Sequence, residues 1–421
     1  MKTRKPIIAL SNRFALILLI AVGSFAPVFG ADSASLTPAK EVPIRSEADR
    51  EFIHRVGMEV RPVYVIPTSR FLKGENLKQT PIDRSLSLHL KYAFQFRPDT
   101  PLDRLSGSAY QGVGLSFHTF YNAEELGNPT ALYLFQGARI ARISPRFSLN
   151  YEWNFGLSLG WSPYDWVTNY ENAVIGSRVN AYLNTNFYLL YRLSPRFDLT
   201  AGVSLSHFSN GNTKLPNGGL NTAGLTVGIT GYLDRQEDID LPPRFSDEPF
   251  QRYVSYEAIL FGAWRKKGIR INDQPYIIPG TFAVAGFNFA AMYNLGRKVR
   301  VGLSLDGVYD SSTNLPYSAE NIIWREGIPY LPHSLKPSWT KQWALGLAAQ
   351  VDYVMPYFTV TVGFGQNILH AGGDMKTFYQ KLALKIDMTR RSFLQIGYSL
   401  REFRSPNFLM LGLGYRFNTR E

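Results

Sequence analysis

Residues Phe147 to Trp161 divide cleanly into two faces. The odd positions Phe147, Leu149, Tyr151, Trp153, Phe155, Leu157, Leu159 and Trp161 are all apolar or aromatic, whereas the even positions Ser148, Asn150, Glu152, Asn154, Gly156, Ser158 and Gly160 are polar or glycine. A period of two is the signature of a β-strand with one greasy face. A strand crosses a bilayer in about nine to eleven residues, so this one spans it with length to spare. The same alternation recurs at Trp343, Leu345, Leu347, Ala349, Val351 and Tyr353, at Leu382, Leu384, Ile386 and Met388, at Leu394, Ile396, Tyr398 and Leu400, and at Leu409, Leu411, Leu413, Tyr415 and Phe417. Lys381, Lys385, Asp387, Arg401 and Arg416 fall on the opposite faces. Charges there are costly in lipid but tolerable in a lumen.

The pattern predicts eight strands near 55–66, 85–97, 110–121, 130–143, 147–161, 179–192, 197–209 and 220–233, and eight more near 251–265, 280–295, 298–309, 342–354, 357–367, 378–388, 392–402 and 408–417. The fold class is therefore all-β, a transmembrane antiparallel barrel of about sixteen strands, with twelve as the lower bound. Loop lengths support the count. Ser144-Pro145-Arg146, Leu193 to Arg196, Gly296-Arg297, Met355-Pro356 and Thr389 to Arg391 are short and follow even-numbered strands, whereas 162–178 and 310–341 are long and follow odd-numbered ones. Short periplasmic turns alternating with long external loops are expected of an outer-membrane barrel, which must close because lipid cannot satisfy an open edge. The connections 98–109 and Asp234 to Pro249 break the rule, and either can hide a strand or a boundary between halves. Whether the halves share one barrel stays open. A soluble β-sandwich would carry shorter strands and polar outer faces.

Lys2, Arg4, Lys5 and Arg13 precede an apolar run, Phe14 to Val22, and small residues near Gly30, which reads as a secretory signal peptide over 1–30. The chain then divides into an N-terminal periplasmic segment at 31–50, a first barrel half at 51–233 carrying the candidate site, a linker at 234–249 and a second half at 250–421. Four of the basic residues behind the net charge of +12 lie in the signal segment. The remaining excess suits an anionic surface such as phosphorylated lipid head groups, or is simply a basic surface. No interleaved Arg/aromatic cluster points to nucleic acid. With no cysteine, neither disulfides nor thiolate metal sites are available.

The candidate chemistry sits at the end of the strand 197–209. Leu199, Ala201, Val203 and Leu205 are the apolar set, and their parity continues into His207 and Ser209. A base and a nucleophile therefore share the face that meets lipid, about 6–7 Å apart at Cα. In the next strand Ala223, Leu225, Val227 and Ile229 are apolar, so Asn221 shares this face. A hairpin pairing Ser209 with Asn221 gathers nucleophile, base and orienting amide at one outer end. The intervening Gly211-Asn212-Thr213-Lys214-Leu215-Pro216-Asn217-Gly218-Gly219 is turn-forming.

The His207-Phe208-Ser209-Asn210 motif, the Lys214-Leu215-Pro216-Asn217 loop and the polar residue opening the next strand resemble the lipid A 3-O-deacylase (PagL) and acyloxyacyl hydrolase family of outer-membrane barrels. The resemblance covers roughly 50–233, with the remainder similar to the extension of larger relatives. It implies a carboxylic ester hydrolase of the outer membrane that removes a fatty acyl chain from lipid A, the lipid anchor of lipopolysaccharide. It also implies His207 as base, Ser209 as nucleophile and the amides around Asn210 and Asn212 as oxyanion-hole donors. Where the family has a Glu, this chain has Asn221. An amide oxygen can fix the imidazole tautomer but carries no full charge to stabilise imidazolium.

The alternatives come from other classes. Sixteen strands are enough to enclose an aqueous pore, so a channel or transporter is one reading, and a catalytically silent structural barrel is another. Inward Asp306, Asp352, Lys381, Lys385, Asp387 and Arg401 do not discriminate between them. His89 and His118 lie in strands with no neighbouring nucleophile and read as structural, while His54, His333 and His370 sit at termini or in loops. Histidine spacing suggests no metal site and no cofactor is called for, although His370-Ala371-Gly372-Gly373-Asp374 is a conceivable cation loop. Neither a phosphate loop nor a GxSxG elbow occurs.

Overall fold

The computed structural model describes residues 52–97, 103, 108–233, 235, 250–271, 274–317, 319–325, 328–331, 337–402 and 405–418. The expected signal peptide, the segment 31–50 and nearly all of the linker 234–249 lie outside these residues. The alternating segments form β1 (Phe52–Val65), β2 (Arg84–Phe96), β3 (Tyr110–Thr119), β4 (Gly127–Arg142), β5 (Phe147–Trp161), β6 (Val179–Arg192), β7 (Phe197–Ser209) and β8 (Leu220–Tyr232). Each pairs with the next, and β8 returns to β1 through Val60↔Val227 and its neighbours, closing an eight-stranded barrel.

The chain continues as β9 (Tyr253–Arg265), a short hairpin β10 (Gly268–Ile271) and β11 (Gln274–Ile277), then β12 (Phe282–Asn294) and β13 (Val299–Asp310). A second short hairpin, β14 (Ile323–Arg325) and β15 (Ile328–Tyr330), precedes β16 (Trp343–Met355), β17 (Phe358–His370), β18 (Phe378–Asp387), β19 (Ser392–Arg401) and β20 (Ser405–Phe417). The eight long strands of this half also close on themselves, β20 pairing with β9 at Leu413↔Leu260. The sixteen long strands thus make two barrels rather than one wide one. Eight strands enclose side chains or at most a ligand-sized cavity rather than a wide aqueous channel, so strand number no longer argues for a pore.

Both interiors carry charge, and the charge is paired. In the first barrel Lys91 bridges Glu59 and Glu152, 2.8 Å from the latter, and Arg61 holds Glu59 at 2.6 Å. Across the lower part of the second, Glu257 accepts from Lys385 at 2.5 Å, Arg300 at 3.2 Å and Arg416 at 2.8 Å, and Asp352 takes Lys385 at 2.9 Å. Arg61, Glu152, Glu257, Arg300, Asp352, Lys385 and Arg416 are buried, and Lys91 and Glu59 are nearly so. Such groups are tolerated out of water only when paired in this way.

Outward residues make an apolar belt, with Val203, Leu225, Val227, Leu260, Leu303 and Leu413 more than half exposed. Where the belts meet, the two barrels pack wall to wall. Phe155, with Leu134, Trp153, Leu157 and Leu183 around it, contacts Phe358, Leu384, Ile396, Tyr398 and Leu409. The outer end of the first barrel is capped by its own loops: Phe71, Leu72, Ile82, Val174 and Ile175 are buried against Phe120, Trp161, Tyr182 and Phe208. This cap positions the candidate site.

Candidate active site

On β7 the outward side chains follow the expected parity, but their exposure does not persist. It falls from 55% at Leu205 to 8% at His207 and 2% at Ser209. An exposed rim hydroxyl is therefore not what the chain presents. The cover comes from two loops. Asn172, fully buried, donates to the carbonyls of Glu125 and Ser162 and accepts the N–H groups of Val174 and Ile175 at 3.1 and 3.0 Å. That clamp holds the carbonyls of Ala173 and Val174 to receive Gly218 N–H at 3.1 Å and Gly219 N–H at 3.2 Å. The 210–219 loop is thereby drawn down over the end of β7.

Gly219 is the tightest point. Its φ is +69°, and a Cβ built there would stand 2.9 Å from Cε1 of His207. Only glycine takes both the left-handed backbone and the close approach without cost. Gly211 and Asn212, at φ +64° and +66°, make the preceding turn.

The imidazole lies directly across the ladder from Asn221, with Nδ1 2.7 Å from Oδ1. An amide oxygen only accepts, so Nδ1 carries the hydrogen and Nε2 is left with its lone pair. The register differs from the expected one. His207, not Ser209, opposes Asn221, and the β7–β8 ladder ends at Phe208↔Leu220. On the other side Ser209 faces Ala181 and His207 faces Leu183. Alternation determines the face of a residue but is blind to a slip of two.

Among the described residues, three buried polar atoms here have no hydrogen-bond partner: Nε2 of His207, Oγ of Ser209 and Nδ2 of Asn210. Leaving such groups unpaired costs about 1–3 kcal/mol each, a cost that collects at sites of function. The expected donors are otherwise partly committed. Asn210 N–H donates to Oδ1 of Asn217 at 3.0 Å, and its Oδ1 accepts from Lys214 N–H at 3.3 Å. Asn212 accepts from Asn217 through Oδ1 at 3.2 Å and, through its carbonyl, from Lys266 N–H of the second barrel at 2.9 Å.

Two further Ser–His pairs escaped the sequence reading. Ser87 Oγ lies 2.9 Å from Nε2 of His89, whose Nδ1 is 3.1 Å from Tyr133 OH, and Ser116 Oγ lies 2.8 Å from Nε2 of His118. The Ser-x-His spacing on polar faces was the available signal. Both pairs face the lumen among Tyr133, Tyr182 and Phe208, which seal them from any substrate. They fill the barrel and hold its strands. His54 bonds Tyr92 OH, and His333 lies outside the described residues. The loop considered for a cation has no carboxylate to spare, since Asp374 is held by Lys267 at 2.7 Å and Arg401 at 3.5 Å. Among the described residues no cluster of His, Asp or Glu is arranged around a metal position.

Comparison with solved structures gives distant likeness. Neisserial surface protein A is 11% identical over 43% of this chain and 95% of its own, with a TM-score of 0.26. An outer membrane channel from Pseudomonas putida F1 is 12% identical over 87% of this chain and 95% of its own, with a TM-score of 0.18. Neither score is high enough to carry an argument. No curated protein matches the chain. The family matches are more informative: residues 87–230 match the family described as lipid A 3-O-deacylase (PagL), and residues 254–419 match the one described as acyloxyacyl hydrolase, C-terminal domain.

Proposed function

The chain belongs to the lipid A 3-O-deacylase (PagL) family, ester hydrolases of the outer membrane, and from that premise we propose that His207 and Ser209 cleave an acyl ester of lipid A on the outer wall of the first barrel. The observation that carries this reading is the pairing of His207 with Asn221 beside an unpartnered Ser209 hydroxyl, on a face continuous with the lipid-facing belt. The Nδ1–H···Oδ1 bond fixes the tautomer in which Nε2 is a base.

In this reading Ser209 Oγ attacks the ester carbonyl while Nε2 of His207 takes its proton. The tetrahedral oxyanion draws on donors of the 210–212 turn, among them Nδ2 of Asn210, which is buried with no acceptor among the described residues. Collapse breaks the C–O bond, and the imidazolium returns its proton to the departing sugar oxygen. Water, deprotonated by the same imidazole, then hydrolyses the acyl-serine. Asn221 orients the ring without a charge of its own, so the imidazolium is less stabilised than beside a carboxylate.

The test is incubation of the purified protein with lipid A and mass analysis of the product. Loss of the mass of one ester-linked acyl chain, absent with Ser209→Ala, is the expected result. Hydrolysis retained by that variant would remove Ser209 from the mechanism.

A further inference from the structure

The second barrel contains a well of about 1450 Å³, above the ~300–1,000 Å³ usual for a small-molecule pocket. It opens between Arg265, Asp310 and Arg401 at the outer strand ends and descends to Gln395 and Lys385. There the buried Glu257–Lys385–Asp352 cluster forms its floor. Its rim is shared with the first barrel. Asn212 and Leu215 to Gly218, from the loop that covers His207, line the mouth.

The lining points to one ligand class. The cations in its depth are committed, Lys381 to Asp306 at 2.8 Å, Arg265 to Asp310 at 3.1 Å and Lys385 to the floor, while at the mouth Lys267 and Arg401 share Asp374 and Lys266 bonds the carbonyl of Gly280, so an anionic group gains little in the depth of the well. An acyl chain would desolvate Asn288, Gln350, Gln395 and Ser399 without returning a hydrogen bond. What the wall offers is side-chain amides and hydroxyls beside aromatic faces. Phe261 and Phe408 lie 6.2 Å apart at 12° between planes, and Oδ1 of Asn288 has no partner. Hydroxyl groups answer the first feature and the C–H faces of sugar rings the second.

We propose that the well binds uncharged sugar rings of the oligosaccharide attached to the lipid whose ester is presented at Ser209. The binding itself stands on the well alone, whereas the identity of the lipid rests on the deacylase reading. The Lys266–Asn212 hydrogen bond joins the mouth to the catalytic loop. A sugar chain entering the well would thus fix its lipid anchor beside the first barrel.

The experiment titrates the oligosaccharide split from lipopolysaccharide by mild acid into the full-length protein in detergent, by calorimetry. Gln395→Trp fills the well, and Ser399→Leu serves as a second variant if the first does not fold. The expected result is binding to the native chain weakened about ten-fold or more by either folded variant. Deacylation of whole lipopolysaccharide should then fall several-fold while that of sugar-free lipid A is unchanged. No binding to the native chain, equal binding by a folded variant, or displacement of the sugar by free fatty acid would overturn the proposal. Sugar binding without any lipid A hydrolysis would support the well and sink the deacylase reading.

Discussion

His207 and Asn221 face each other across the β7–β8 ladder with Nδ1 2.7 Å from Oδ1, so among the described residues the polar partner of the imidazole is an uncharged amide. If the amide orients the ring, Asn221→Ala should slow lipid A hydrolysis about ten- to a hundred-fold. Asn221→Glu, which supplies the carboxylate of the family pattern, should match or exceed the native rate. Unchanged kinetics in both variants would reduce Asn221 to a strand residue.

Ser209→Ala separates activity from stability. Its hydroxyl is buried with no hydrogen bond among the described residues, so removing it relieves a desolvation cost while deleting the proposed nucleophile. Hydrolysis should fall about a thousand-fold or more, with the heat-modifiable folded band preserved to the same temperature or a higher one. A variant that lost both would point to a structural role.

Gly219→Ala should disable the site from the backbone. The added methyl meets Cε1 of His207 at 2.9 Å in a left-handed conformation that alanine disfavours, so either the ring or the loop must shift. We expect a large loss of kcat with the barrel still folded. Native kinetics in this variant would show that the loop does not hold the imidazole.

Asp374 ties the outer loops of the second barrel and provides a pH test. Burial pushes its carboxyl up, but the hydrogen bond and charge of Lys267, the N–H of Asn314 and the charge of Arg401 outweigh this and hold it below the ordinary carboxylate range. A depressed folded value means stability that is present above the unfolded pKa of about 4 and is lost as pH falls through the folded one. Asp374→Asn should therefore unfold at lower temperature than the native chain at pH 7, and the gap should close on acidification below about pH 4. A gap unchanged at pH 2 would rule out the ion pair as its source.

All sixteen long strands were legible, because an apolar face must alternate wherever one side meets lipid and the other does not. How they close was not. Whether β8 turns back to β1 or runs on to β9 depends on edge pairing, which leaves the alternation of either strand unchanged. The hairpins at 268–277 and 323–330 are too short to carry a period. At the site, parity placed His207, Ser209 and Asn221 on one face, but the register was two residues from the expected one. The burial of Ser209 was invisible for a different reason. Its cover is anchored by Asn172 in a distant loop, and no local pattern encodes that contact.

The wall-to-wall packing of the barrels has a kinetic consequence. Leu183, the cross-strand neighbour of His207, lies in the seam, so the site sits beside the second barrel rather than on an open circumference. A substrate confined to a leaflet arrives by two-dimensional diffusion, and the second barrel blocks part of the compass around the first. Encounter then depends on lateral traffic through the remaining arc, and turnover in a native membrane should respond to crowding of the outer leaflet more than to any concentration in bulk water.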